Sequence, residues 1–166
     1  GRFRYYLLET GMNYSIINAV LSASCNDIYD IYLRIHVLQK LFDNKRKFFD
    51  DIITGFCRAN NITKNFQELP LVDTNLFEEE VERQLNNTLQ SVEKDFYPAI
   101  QRGDYIYACE SFSTVIPVLN RFFDDVLVMT ESELVRNNRL SLLKKIVELW
   151  QPIADLSQIV IEEESR

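Results

Sequence analysis

A chain of 166 residues, with 18 Lys and Arg against 25 Asp and Glu and a formal net charge of −7, has the size of one domain or one domain with an appendage. Its 46% hydrophobic residues exclude disorder, and only four Gly and four Pro exclude collagen-like repeats and speak against a protein built of strands and turns. A pI near 4.8 argues against a generic nucleic-acid binder, whose affinity comes largely from clustered positive charge.

The expected elements are helices. Residues 2–9 form a short first one, halted at Gly11. Asn13 is placed to cap a second, where Ile16, Ile17, Val20 and Leu21 recur at helical spacing. Asp27 opens a third, whose apolar stripe of Ile28, Ile31, Ile35, Leu38 and Leu41 runs to Asp43. A fourth begins at Lys45-Arg46-Lys47 and continues through Phe48, Ile52, Ile53 and Phe56 to about Asn61. The stretch 64–73, with Pro70 and no helical period, is the one clear loop. Thr74 followed by Glu78, Glu79 and Glu80 predicts the start of a long polar helix, because carboxylates there oppose the macrodipole. It should run to about Gly103, with Pro98 kinking or ending it. Asp104 starts the next, which reaches Phe122–Phe123 and is interrupted at Pro117; the last runs from about Ser132 through WQPIADL to about Ile159. Residues 162–166 read as a solvated tail.

No stretch reaches the roughly 18 uninterrupted apolar residues of a membrane span. The chain starts at Gly1 with neither an initiator Met nor a signal peptide and reads as excised from a longer polypeptide. The three cysteines, at 25, 57 and 109, form neither a metal-ligand spacing nor a disulfide framework and point to buried thiols in a reducing cytosol. Catalytic machinery is missing by the same kind of inspection. The single histidine, His36, sits in an apolar run, the glycines are too scattered for a phosphate loop, and the EEEVE and EEES acids read as solvated charge. The residues alone thus describe a binding or interaction domain with neither catalytic nor metal-ligating residues.

Two stretches are unusual. At 56–65, Arg58, Asn60, Asn61 and Lys64 crowd a helix end, either complementing the negative end of its dipole or forming a surface for phosphates and base edges. On the last helix, a wheel at about 100° per residue puts Val135, Leu142, Leu143, Ile146, Leu149, Trp150 and Ile153 on one face, with Arg139 in its middle. A charge there requires a partner; Asp124 or Asp125, on the preceding turn, is the natural one, making Arg139 a clasp between helices. Asn137, Ser141, Lys144 and Lys145 fall on the opposite face, expected to be open, and Arg136 at its edge.

These stretches carry a family resemblance. RFFDDVLVM, VRNNRLSLLKKI and ADLSQIV resemble the carboxyl-terminal end of bacterial glycyl-tRNA synthetase beta subunits. FCRANNITK is similar to that family's basic helix end, RFRYYLLETGMNYSIINAVLSA to the segment just upstream, and LVDTNLFEEEVERQL to the entry of its long helix. The resemblance implies an all-α bundle of about six to seven helices, an anticodon-binding domain of the type appended to arginyl-tRNA synthetases. Residues 45–161 would form that domain and 1–43 a helical segment before it. The implied function is binding of the anticodon end of tRNA-Gly. ATP-dependent glycylation would be catalysed elsewhere in a cytoplasmic heterotetramer of alpha and beta subunits, with ATP and Mg held outside this chain. Arg58, Asn61 and Lys64, with Arg136, Asn137 and Asn138, are the expected tRNA contacts, and Arg139 with Asp124 their structural support. The competing expectation is a helical protein–protein interaction module within a larger assembly.

Overall fold

The computed structural model describes residues 1–23 and 27–161, so Cys25 and the tail at 162–166 lie outside the described residues. Among those described, eight α-helices and three short 3-10 turns make up the regular structure, with no strand, in agreement with an all-α chain. The contacts divide the chain into two compact units, one made of Gly1–Thr54 with Trp150–Arg166, the other of Gly55–Leu149.

In the first unit, α1 (Arg2–Glu9) stops where Gly11 takes a φ of 81°, a left-handed conformation that only Gly adopts without strain. Helix α2 (Tyr14–Ser22) is capped by Asn13, whose side chain accepts from the N–H groups of Ser15 and Ile16. Asp27 caps α3 (Ile28–Asn44) in the same way. The apolar periodicity of these helices supplies the core residues Leu7, Ile16, Ile17, Val20, Ile35 and Leu38. Arg34 is buried among them, pairs with Asp30 at 3.1 Å and donates to the Pro152 and Ile153 carbonyls at 3.3 and 2.8 Å. The Asp155 N–H donates to the Ala19 carbonyl at 2.8 Å, so the WQPIADL turn is held by α2 and α3.

Helix α4 (Arg46–Thr63) passes through the first unit boundary. In the second unit, Thr74 opens only a 3-10 turn (Thr74–Leu76); the long helix α5 (Glu80–Gln101) starts six residues later. The reason is that the Glu82 carboxylate reaches back to the N–H groups of Glu78 and Glu79, at 2.9 and 2.8 Å, and fixes the helix start there. Pro98 does not end α5, which closes past it at Gly103, with φ of 75°. The expected helix from Asp104 is two, α6 (Tyr105–Ser111) and α7 (Val115–Asp125), joined by a 3-10 turn at Phe112–Thr114. A proline ring collides with the carbonyl four residues before it, so Pro117 breaks the helix near Ser113 and itself sits in the first turn of α7, where its missing N–H costs nothing. Helix α8 (Glu133–Trp150) ends at Trp150, because Pro152 disfavours helical backbone at Gln151. A final 3-10 turn follows at Leu156–Gln158.

Helix α5 packs on α6 and α7, burying Leu85, Leu89, Phe96 and Ala99 with Tyr105, Ala108, Phe112 and Leu119. Gly55 of α4 lies in the same unit, and a Cβ there would stand 3.0 Å from Leu119 Cδ2. Gly55→Val should therefore overpack this contact at a cost of about 1–3 kcal/mol. Thermal unfolding of the native and variant chains checks it; an equal midpoint would contradict the close approach of α4 and α7.

Candidate nucleic-acid interface

Helix α8 is built on an apolar face, and Val135, Leu142, Leu143, Ile146, Leu149 and Trp150 are all buried on it, as is Ile153 beyond the helix. Arg139 is 4% exposed in the middle of that face. Its partner is Glu82 rather than Asp124. Arg139 Nε donates to Glu82 Oε1 at 2.9 Å, Nη1 to the Leu127 carbonyl at 2.8 Å, and Nη2 to Glu78 and Glu82 Oε2 at 3.4 Å. Asp124 and Asp125 close α7 with exposed side chains, so they keep their hydration while the wholly buried Glu82 receives the guanidinium. Burial alone would raise the Glu82 carboxyl. The Arg139 hydrogen bond and those from the Glu79 and Glu78 N–H groups outweigh it and hold the group below the ordinary glutamate range.

The opposite face of α8 is covered by the loop at 64–73 rather than open. Asn138, 1% exposed, accepts from the Asp73 N–H through Oδ1 at 2.7 Å and donates from Nδ2 to the Asp73 carbonyl at 2.9 Å. Both ends of its amide are therefore committed to the backbone of one residue, which corrects its expected place among the tRNA contacts. Ser141 is buried and donates to the Pro70 carbonyl at 2.7 Å. Lys144 and Lys145 are half-buried, lining a cleft of about 170 Å³ with Leu69, Leu71 and Glu148. Arg136 is half-buried and donates to the Thr130 carbonyl at 3.3 Å, and the neighbouring Asn137 is half-buried, its carbonyl accepting from Ser141.

At the end of α4 the side chains are more open. Arg58, Asn61 and Lys64 are all exposed, with Lys64 just past the last helical residue. The Arg58 guanidinium carbon lies 4.1 Å from the centroid of the Phe123 ring on α7. These three residues form one group on a helix end; Arg136, Asn137 and Asn138 follow one another on α8, with the Arg136 and Asn138 side chains bonded to the Thr130 and Asp73 backbone.

Two contributors escaped the sequence reading. Glu82 belongs to an acidic run that reads as solvated charge; its signal is its place among Val81, Leu85 and Leu89 on the apolar face of α5, the counterpart of Arg139 on the apolar face of α8. Phe123 carried no signal beyond its aromatic character, since its pairing with Arg58 joins residues 65 positions apart. Among the described residues, no group of three or more His, Cys, Asp and Glu is placed to hold a metal ion, and no helix is long and apolar enough to cross a membrane. The half-buried His36 packs against Tyr32 at a centroid distance of 4.0 Å, and burial pushes the Cys109 thiol far up.

The sequence profile of the DALR anticodon binding domain family matches residues 52–156. Glycine–tRNA ligase beta subunits are similar over nearly all of the chain. That of Desulforamulus reducens is 34% identical over 161 residues, 97% of this chain and 23% of its own length. Those of Sulfurihydrogenibium sp. and Persephonella marina are 35% and 36% identical over 96% of this chain, and 23% and 22% of their own lengths. The chain thus spans less than a quarter of the curated relatives it matches.

The buried pair yields two expectations. Glu82→Gln leaves the Arg139 charge short of its main partner and should cost about 3–5 kcal/mol at neutral pH, read by denaturant unfolding. A carboxyl held low in the folded state contributes stability that is fully present above its unfolded pKa and lost as pH falls through the folded one. The native chain should therefore lose stability below about pH 4.3, the usual glutamate value, and Glu82→Gln should lose less over that range. Asn138→Ala should cost about 1–3 kcal/mol by leaving the Asp73 backbone unpaired, with faster amide exchange at Asp73 as its local signature.

Proposed function

Because the chain belongs to the DALR anticodon binding domain family, we propose that it binds the anticodon end of tRNA-Gly as part of a glycine–tRNA ligase beta subunit. The observation that carries this reading is the family match over residues 52–156 together with beta-subunit relatives similar across nearly the whole chain. In this proposal residues 45–161 supply the tRNA contact and residues 1–43 precede it. The rest of a cytoplasmic alpha–beta heterotetramer performs ATP-dependent glycylation of the tRNA. In the same proposal, ATP and Mg are held by that remainder.

The chemistry follows from what an anticodon loop presents, namely unstacked bases with free edges on a charged backbone. Arg58 and Lys64 bring two exposed cations to one helix end, and Asn61, between them, carries a donor and an acceptor suited to a base edge. Arg136 adds a cation on α8, oriented by the Thr130 carbonyl, with Asn137 beside it. Asn138, Arg139 and Glu82 stand behind these, setting where α5, α8 and the loop at 64–73 lie.

A second reading, a helical protein–protein interaction module, draws on the first unit, where Tyr5, Tyr6, Ile28 and Tyr29 are each more than half exposed. It predicts a protein partner and no preference among tRNAs. The deciding measurement is tRNA-Gly affinity of the intact enzyme with Arg58→Ala and Lys64→Ala combined. Weaker binding and a shallower dependence on salt are expected, because cations at an RNA contact displace counterions that stay in place once those cations are removed. Affinity and aminoacylation both equal to native would remove the assignment.

A further inference from the structure

Among the described residues, four arginines lie over aromatic rings. Arg46 over Phe42, Arg83 over Phe77 and Arg102 over Tyr107 stand 3.8, 5.7 and 5.1 Å from the ring centroids. Each of these three also meets a carboxylate, Asp50 at 3.0 Å, Glu80 at 4.0 Å and Asp104 at 3.7 Å. Their charge and part of their donor set are therefore claimed within the chain. Arg58 differs: it lies over Phe123 at 4.1 Å, is exposed, and makes no ion pair among the described residues. Its platform is fixed. Phe123 is half-buried and packs edge-on against the buried Phe122, with centroids 5.9 Å apart and planes at 81°.

Building on the reading of this domain as a tRNA binder, we propose that the Arg58–Phe123 stack is the docking plane for one unstacked nucleobase of the RNA loop. Arg58 presents the outer face of its guanidinium to the base, and Phe123 is the positioning residue that holds that plane. A guanidinium is flat, weakly hydrated and able to stack, whereas a lysine ammonium is a compact point charge. Ring, guanidinium and base then form a three-layer stack, sequence-tolerant by itself because every base has a π-face. The local charge favours a base over a phosphate here. Phe123 is followed in the chain by Asp124 and Asp125, both exposed, which repel an approaching phosphate and leave a neutral base unaffected. Selection among bases would come from neighbouring edge contacts such as Asn61. The stack supplies affinity and fixes where the base sits.

The test uses the complete enzyme, alpha and beta subunits together, with tRNA-Gly transcripts that are intact or carry a single abasic nucleotide at each anticodon-loop position. Dissociation constants are measured over a salt series for the native enzyme, Arg58→Lys and Phe123→Leu. At one loop position the abasic change should weaken native binding about 5- to 150-fold, the range for one stacked base. Both variants should bind the intact tRNA more weakly and lose most of that abasic penalty, while keeping the native salt slope because no charge has been removed. Variants that match the native enzyme on every transcript, while some abasic position weakens native binding, overturn the stack and leave the tRNA reading standing. If no abasic position affects the native enzyme, the stack is overturned, and the tRNA-binding reading is decided separately by the enzyme with Arg58→Ala and Lys64→Ala combined. Should Phe123→Leu melt early, Arg58→Lys, at an exposed position, decides the question alone.

Discussion

The buried pair of Arg139 and Glu82 is the constraint on which the second unit depends. Removing two charges from water is expensive, and the arrangement is stable because nearly every polar atom is used. Glu82 takes the guanidinium on both oxygens and also accepts two backbone N–H groups, while Arg139 adds the Leu127 carbonyl. One contact thereby fixes the start of α5, the middle of α8 and the turn between α7 and α8. Asn138 and Ser141, next to Arg139 on α8, extend the same anchoring to the loop at 64–73 through Asp73 and Pro70. A loop with Pro70 and no helical period is thus given a definite course by polar side chains of a helix that otherwise faces the core.

This arrangement changes the meaning of the net charge. The excess of 25 acids over 18 bases argues against indiscriminate RNA binding, yet several of the acids are committed within the chain. Glu82 is buried inside the unit, Asp50 and Asp51 are paired with Arg46 and Lys47 on α4, and Asp104 caps α6. Arg58 and Lys64 remain exposed at the end of α4. An acidic chain can accordingly present a small cationic site, with specificity drawn from placement rather than from bulk attraction.

The proposed function asks a surface of this chain rather than a reaction. What the second unit offers is a helical surface held by buried polar clasps, suited to a nucleic-acid loop whose bases are already unstacked. In the proposed function, the domain contributes to the choice of tRNA and bond formation is assigned to the remainder of the protein.

Much of the fold was legible in the residues because it is local. Helical spacing, the caps at Asn13, Asp27 and Asp104, and the stops at Gly11 and Gly103 all operate within a few positions, and the wheel placed the buried face of α8 and Arg139 within it. The errors arose where a distant segment decided the outcome. Asp124 was the nearest acid in sequence, but the space beside Arg139 is occupied by Glu82, 57 residues away, and the same carboxylate moved the start of α5 from Thr74 to Glu80. The open face expected on α8 is covered by a loop some 70 residues earlier, which removes Asn138 from the surface, and the ring beneath Arg58 comes from another helix. Composition and period determined that this is an acidic, all-helical chain. Which of its charges are buried and which face a partner was decided by tertiary packing, because desolvation and pairing depend on neighbours that sequence distance does not reveal.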